Sequence, residues 1–417
     1  MVILMTSSLL LRQANFRRLL LANFLSGVGD WFNSVAVLSL LLDITGTAMA
    51  VGITLALRTL PYLVFGPLGG LLADRFNRKA VMIACDLVRA VIALCFLFVS
   101  SADDVWIVYA GTFALVAFSA LYNPARISLI PDVVERDQLL SANALEESVF
   151  GIVMAAGSLV GGVFAAYWGT DAAFVCNSLS FVLSAALILR ISLPPRSSGV
   201  RREADKEERK ADEPSYRDLF SLIRQTPLVL YTLLMTTLWP VGGGILNVLI
   251  SVYAYQVFAA GKSGVGLLYG AIGLGFIVGG VAADLLKRRP YHMASCSFAV
   301  EGFAHVLTSF APTIYLAAAC YALSTVAGGM GNASLRTLLM RHLDKAYHGR
   351  VFALESTISS VLIGLSMLVG GWLLTVFEPR LLGFAAGLLI TLCSLILGVL
   401  ILQASRAADS AAPAQPD

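Results

Sequence analysis

Asp30, Arg58, Asp86, Arg89, Glu301 and His305 stand inside long apolar runs of this 417-residue chain. An acid or arginine at the centre of a membrane helix costs about 2.5 to 3.5 kcal/mol on insertion scales, so each such residue needs a partner or a task. Asp30 and Arg58 lie on successive runs, roughly 18 and 21 Å from the same membrane face at 1.5 Å per residue. At that shared depth they form a candidate pair that could hold a charged head group or exchange a proton; a structural ion pair is the competing reading. Asp86 and Arg89, spaced i, i+3 on one helix face, read as a self-neutralising structural pair. Glu301 and His305, spaced i, i+4, form a candidate proton relay in which a neutral imidazole shares a proton with the carboxylate, against the alternative of a satisfied packing pair.

These residues need a membrane around them, and the composition supplies one. The chain is 58% hydrophobic and 13% charged, with a mean hydropathy of +0.81, far from the roughly 25% charged residues of soluble domains. A span needs about 20 predominantly apolar residues, and that window predicts twelve helices, over 19–42, 49–72, 80–100, 105–126, 143–168, 171–192, 227–258, 263–286, 291–310, 313–336, 351–376 and 380–403. The seventh run is long, and Trp239, Pro240 and Gly242 to Gly244 predict a bend or a shorter helix there. All but four of the 29 Lys and Arg fall on the side of the N-terminus; Lys262 and Arg380 lie on the other face, and Arg58 and Arg89 lie within spans. By the positive-inside rule both termini are expected in the cytoplasm, with the chain a multi-pass protein of the cell (inner) membrane.

Residues 1–192 read as one six-helix half, 193–226 as a cytoplasmic linker, 227–403 as the second half and 404–417 as a disordered cytoplasmic tail. The linker mixes seven basic with seven acidic side chains between 193 and 218 and reads as a solvated connector. Tyr216, Leu219, Phe220 and Ile223 follow at helical spacing and predict a short surface helix. The six cysteines show no CxxC spacing and read as packing residues. A net charge of +3 implies no nucleic-acid partner. No GxxxxGK[ST] loop occurs, so no nucleotide is expected to drive the protein directly, and the four histidines show no HExxH spacing; no metal, cofactor or catalytic residue is predicted.

The halves are related. Gly70 to Lys79 reads GLLADRFNRK, and Gly280 to Arg289 reads GVAADLLKRR, so that Asp74 matches Asp284, Arg78 matches Arg288 and Lys79 matches Arg289. Ala144, Leu145 and Glu146 likewise match Ala353, Leu354 and Glu355, LVGG recurs at Leu159 and Leu368, and Arg126 matches Arg336. Two halves in the same orientation follow, related by an axis along the membrane normal.

Six plus six helices, a central loop and the hinge after helix two resemble the major facilitator superfamily, whose signature there runs roughly GxLaDRxGRK. Gly70, Leu72, Asp74, Arg75, Arg78 and Lys79 match it, and Asn77 replaces the usual glycine, a change tolerable because Asn also visits left-handed backbone. GDWFN from Gly29, RTLPYLVFGPLGG from Arg58 and YNPARISLIPDVVERDQLLSANALEES from Tyr122 are similar to the branch containing macrolide efflux proteins, the enterobactin exporter and lysophospholipid transporters. The resemblance implies an all-α membrane fold of two pseudo-symmetric six-helix halves and the movement of an amphiphile.

It also implies that Gly70, Asp74, Arg75, Arg78, Lys79, Arg126, Asp284 and Arg288 form a conformational latch. The Asp74 carboxylate would accept hydrogen bonds from the N-terminus of helix eleven or pair with Arg126, holding the halves closed on the cytoplasmic side. Glu146 and Glu147 on helix five, Glu355 on helix eleven, and Arg126 and Arg336 ending helices four and ten, could add a cross-repeat gate at that level, with interfacial snorkelling as the alternative. Asp30 and Arg58, with Trp31, Asn33 and Asn247 on cavity-bordering helices, are the candidate coupling or substrate-binding residues; Tyr62, Trp239, Tyr253 and Tyr255 add to a lining suited to an amphiphile. Gly157, Gly161, Gly162, Gly364, Gly370 and Gly371 would let helices five and eleven slide closely past neighbours.

The expected function is a secondary exporter of an amphiphilic drug, macrolide-like compound or siderophore, working as a monomer in the bilayer by alternating access with protons returning in antiport. The alternative is a lysophospholipid or lipid flippase-type transporter. A membrane scaffold or enzyme is the third reading, weakened by the absence of any nucleophile, base or metal constellation.

Overall fold

A computed structural model describes residues 13–135, 139–192, 216–285, 290–343 and 345–411. Among the described residues the chain is helical without strands. Ten helices are long and apolar enough to cross a membrane, and the one over Val149–Leu189 counts as two because it reverses at Gly169. That glycine adopts φ +85°, a left-handed conformation costly to any residue with a Cβ. Pro290–Ser309, less apolar because it carries Glu301 and His305, completes the twelve.

The spans are α1 (Ala14–Thr45), α2 (Ala48–Leu57 continued by Pro61–Arg75), α3 (Arg78–Cys95), α4 (Val105–Val133), α5 and α6 (Leu139–Leu189, dividing at Gly169), α7 (Pro227–Val252), α8 (Gly261–Leu285), α9 (Pro290–Ser309), α10 (Ile314–His342), α11 (Lys345–Leu373) and α12 (Pro379–Ala411). With twelve spans, the start of α1 and the end of α12 lie on one side, called here the terminal side. The long seventh run carries Pro240 within a continuous α-helix that ends at Val252, short of the predicted span, and finishes in a π-helical turn, Tyr253–Val257. Of the tail expected to be disordered from residue 404, the described residues through Ala411 continue α12, where Ala and Arg favour helix; the rest lies outside the described residues. The short helix expected after the linker occupies Tyr216–Gln225, with Ile223 buried against Leu339, Leu343 and Val351.

Helix α2, predicted as one piece, breaks in the middle. Pro61 has no N–H to give the Leu57 carbonyl, so Arg58, Thr59 and Leu60 form a turn closed by shorter-range bonds such as Thr59 N–H to the Ala56 carbonyl at 3.0 Å. At the next junction Asn77 takes an extended conformation (φ −65°, ψ 114°), not the left-handed one anticipated. Its side chain caps α3, accepting from the Lys79 N–H at 3.0 Å and the Ala80 N–H at 3.4 Å.

The apolar clusters decide how the halves sit. On the terminal side each half has its own: Phe16, Leu19, Met82, Leu129 and Ile188 in the first, Leu228, Met235, Leu335, Leu338 and Ile401 in the second. On the opposite side one cluster draws on both, packing Val35, Leu38, Val51 and Leu55 with Leu249, Val252, Val265 and Tyr253. Bare backbones make that closure possible: a Cβ on Gly52 would meet the Met367 carbonyl at 2.7 Å and Gly371 Cα at 3.0 Å, and one on Gly162 would meet Gly266 Cα at 2.7 Å. The molecule is thus shut on the side opposite the terminal side.

Candidate functional site

The α2 break places Arg58 at the mouth of a cavity of about 160 Å³ lined by Asp30, Asn33 and Ser34 of α1, Thr54, Arg58 and Tyr62 of α2, and Thr112, Leu115 and Ser119 of α4. Irregular backbone at mid-membrane persists where it lines a cavity, since water there satisfies the freed carbonyls. The predicted neighbourhood of Asp30 and Arg58 is therefore present, but the predicted pairing is not. Asp30 makes its ion pair with Arg89 of α3, Oδ2 to Nη1 at 3.9 Å, and its side chain is 41% exposed. Arg58 has no ion pair among the described residues; it sits at the helix break and lines the same cavity.

Arg89 is the residue the sequence reading underrated. It is bound tightly by Asp86, its i−3 neighbour, and both are buried, at 3% and 0% exposure. Asp86 in turn accepts from the Ser184 hydroxyl of α6 at 2.7 Å, while Arg89 Nη1 donates to Ser119 Oγ at 3.1 Å. The guanidinium is sandwiched by the rings of Tyr122 at 4.7 Å and Phe181 at 4.3 Å. The structural pair of α3 thus does double duty: Asp86 and Ser184 anchor the arginine, and its Nη1, bonded to Ser119, also faces Asp30. The signal was available, since α3 is antiparallel to α2 and puts Arg89 near the depth of Asp30.

The remaining cavity candidates divide. Asn33 is buried with Oδ1 lacking a partner. Trp31 does not line the polar pocket; it packs at a tilt on Tyr269 of α8, ring centres 5.5 Å apart, backed by Gly157, where the halves meet. Asn247 of α7 accepts from the Tyr269 hydroxyl at 3.2 Å. Tyr62 accepts from Asn123 at 3.4 Å.

Glu301 and His305 are both buried on α9 but make no bond to each other. Glu301 instead accepts from the Trp239 indole of α7 at 3.0 Å, and His305 packs edge-on against Tyr321 at 5.2 Å. Packing against neighbouring helices has overridden the i, i+4 spacing. Glu301 Oε2 and His305 Nδ1 have no hydrogen-bond partner.

At the hinge, Arg78 donates to the Ser128 carbonyl and pairs with Asp132 at 2.5 Å, both on α4. Lys79 Nζ donates to the Leu189 and Ile191 carbonyls at the end of α6, at 2.6 and 2.8 Å. These contacts tie the hinge into its own half. Arg75 is exposed, and a Cβ on Gly70 would meet nothing within 4 Å. The side chains of Asp74, Glu147 and Asp284, and all of Arg288, lie outside the described residues. Arg126 pairs with Glu146, which also accepts from Asn23 at 3.4 Å, all within the first half and not across the repeat. Arg336 is exposed, and Glu355 accepts from Ser359 one turn along its own helix at 3.4 Å. With the halves apart on the terminal side, the nearest opposite charge available to Arg126 is intradomain.

On the closed side, polar contacts unforeseen from sequence cross between the halves. Lys262 pairs with Asp43 at 3.5 Å, and Gln256 donates to the Gly46 carbonyl at 3.4 Å. Lys262, one of two cations on that face, was the available signal.

Comparison with known proteins fits this architecture. The chain is 23% identical to macrolide efflux protein A of Streptococcus pyogenes over 353 residues, covering 83% of this chain and 85% of that one. It is 25% identical to the putative bacilysin exporter BacE of Bacillus subtilis, covering 87% and 89%. A match to the MFS-type transporter YfiS of Bacillus subtilis (strain 168), 26% identical, spans just over half of each chain, 55% and 54%. A bacterial homologue of the human lysosomal transporter Spinster, solved inward-facing and occupied, superposes with a TM-score of 0.71 at 14% identity, over 96% of this chain and 98% of that one. A bacterial homologue of the iron transporter ferroportin, also inward-facing, gives 0.68 at 14% identity over 94% and 98%. The family model described as Major Facilitator Superfamily matches residues 19–360 and 242–417. Twelve helices in two related halves around a polar midplane cavity, with that match along nearly the whole sequence, make this chain a member of the Major Facilitator Superfamily, a family of transporters and not of enzymes.

Proposed function

We propose that this transporter exports an amphiphilic small molecule across the cell membrane by alternating access, as an antiporter driven by returning protons, with both termini in the cytoplasm. The observation that carries the reading is Asp30: a carboxylate in a midplane cavity, 41% exposed and held only at 3.9 Å by an arginine whose main partner is another acid. Such a group can change partner or protonation as the cavity alternates, which a fully paired carboxylate cannot. Returning one proton is worth about 2.3 kcal/mol per 100 mV.

With the terminal side cytoplasmic, the conformation described is inward-facing. The bare face of Gly70 leaves room for a helix of the second half to close against the hinge, which supports a latch formed in the opposite conformation. The Arg126 and Glu146 pair supplies charges that a cytoplasmic gate would redistribute when the halves meet there. Glu301, which accepts from the Trp239 indole on one oxygen and has no hydrogen-bond partner on the other, is a second candidate proton carrier. The names of the efflux relatives support outward movement of a drug-like cargo.

The test is accumulation of a panel of macrolides and lipophilic dyes in cells lacking other efflux pumps. Export is expected to be abolished by an uncoupler and by Asp30→Asn, with the variant still folded in the membrane. Uncoupler-resistant export, or full export by Asp30→Asn, would reject proton coupling through this residue.

A further inference from the structure

The cavity presents one acid and one base that do not neutralise each other. Asp30 and Arg58 line the same space of about 160 Å³ without forming an ion pair. Arg89 cannot serve as a ligand for incoming anions, because Asp86, Ser119 and two aromatic faces already occupy it. The four charges, Asp30, Asp86, Arg58 and Arg89, sum to zero. A bound cation or anion would add an unbalanced charge to a partly dehydrated site, whereas a molecule carrying both signs would not.

Neutral neighbours sort with the same polarity. Asn33 lies one helical turn beyond Asp30 on α1, and its buried Oδ1 is an acceptor with nothing to accept from. Tyr62 lies one turn beyond Arg58 on α2; it accepts from Asn123 and keeps its own proton to donate. One wall therefore offers a carboxylate and an unpartnered amide oxygen, the other a guanidinium and a phenol hydroxyl. Resting on the reading of this cavity as the substrate path, we infer that it is a zwitterion site: an ammonium group of the cargo binds Asp30 and Asn33, and an acid group of the same molecule, carboxylate or phosphate, binds Arg58 and Tyr62. Pockets for drug-sized ligands span about 300 to 1,000 Å³, so this pocket of about 160 Å³ takes the polar head and the apolar body lies outside it. Two sources share that chemistry, a free-ended short peptide and a phosphoethanolamine lipid head.

The experiment is binding to purified full-length protein in detergent, read by quenching of tryptophan fluorescence. The peptide arm uses the dipeptide Leu-Phe with free ends, its N-acetyl form, which keeps only the anion, and its C-terminal amide, which keeps only the cation. The lipid arm compares lysophosphatidylethanolamine with lysophosphatidylglycerol, a phosphodiester that keeps only the anion. In one arm or the other the zwitterion is expected to bind at least tenfold more tightly than its singly charged analogues, and the arm that responds identifies the source. Asp30→Asn should move the preference to the anion-only probe and Arg58→Gln, in the peptide arm, to the cation-only probe. Singly charged probes matching the zwitterion in both arms, no saturable binding of any probe, or both variants losing all probes alike would overturn the site. The wild-type comparison decides the matter even if a variant fails to fold. Because binding is read without a gradient, dye export that persists with no zwitterion preference sinks only this inference; zwitterion binding without any export sinks only the exporter reading.

Discussion

Replacing Gly162 with alanine should open the side away from the termini. The added methyl would stand 2.7 Å from Gly266 Cα, 2.9 Å from the Lys262 carbonyl and 3.0 Å from the Gly266 nitrogen, all backbone. To reach the 3.4 Å of ordinary contact, α5 and α8 must part locally by about 0.7 Å. Overpacking of this kind typically costs about 1 to 3 kcal/mol. The penalty applies only while the two helices touch; the gain of up to about 1 kcal/mol from alanine's helix propensity acts in every conformation and cancels from the ratio. The equilibrium should therefore shift about 5- to 150-fold toward the state open on this side. From a starting population of about 1%, that means about 5% to about 60%. Nitroxides on a cysteine-free background at Thr47 and Tyr315, both exposed and on opposite halves of this side, would report it as growth of the long-distance component. Gly66→Ala is the control, because a Cβ there meets nothing within 4 Å. A folded Gly162→Ala protein with the distance distribution of the control would refute the idea that this backbone contact holds the side shut.

Asp86→Asn strands the buried Arg89 guanidinium and should destabilise the protein by about 3 to 5 kcal/mol, visible as a large drop in melting temperature in detergent, whereas melting at the wild-type temperature would show that Asp30 alone can hold the arginine. Lys262→Ala breaks a partly exposed ion pair and should cost no more than about 1 kcal/mol of stability. Lys262→Glu instead sets like charges across the closed side and should raise labelling there, with Asp43→Lys added on top restoring the wild-type pattern; no rescue by the double exchange would deny the pair a role in closure. Trp239→Phe removes the donor to a buried carboxylate and should cost about 1.5 to 3 kcal/mol in thermal unfolding, while an unchanged midpoint would mean Glu301 finds another partner.

Periodicity and charge placement carried most of the architecture into view. A hydrocarbon layer admits only helices or closed barrels, so apolar length translates directly into spans, and the recurrence of GLLADRFNRK as GVAADLLKRR revealed two halves before any packing was known. Depth along a helix is likewise a count of residues at 1.5 Å each, which is why Asp30 and Arg58 could be placed on one level. Azimuth and partnership are different quantities. Whether Arg58 meets Asp30 depends on the turn that Pro61 forces and on how α1, α2 and α3 rotate against each other; the packed structure gives Asp30 to Arg89. The spacing of Glu301 and His305 guaranteed a shared face but not a bond, and the indole of Trp239, from a helix 62 residues away in sequence, took the carboxylate instead.

What the sequence determined by itself is the set of ionisable groups sunk in the membrane, their depth and the twofold repeat, because these follow from chain order and one repeating rise. What only the tertiary structure decided is which charges touch and which side is shut, because those depend on contacts between helices distant in the chain and on one of several arrangements that the same sequence can adopt. Asp30 shows the division: its depth is legible from residue 19 onward, but its exposure to the cavity and its loose hold on Arg89 exist only once three helices have packed.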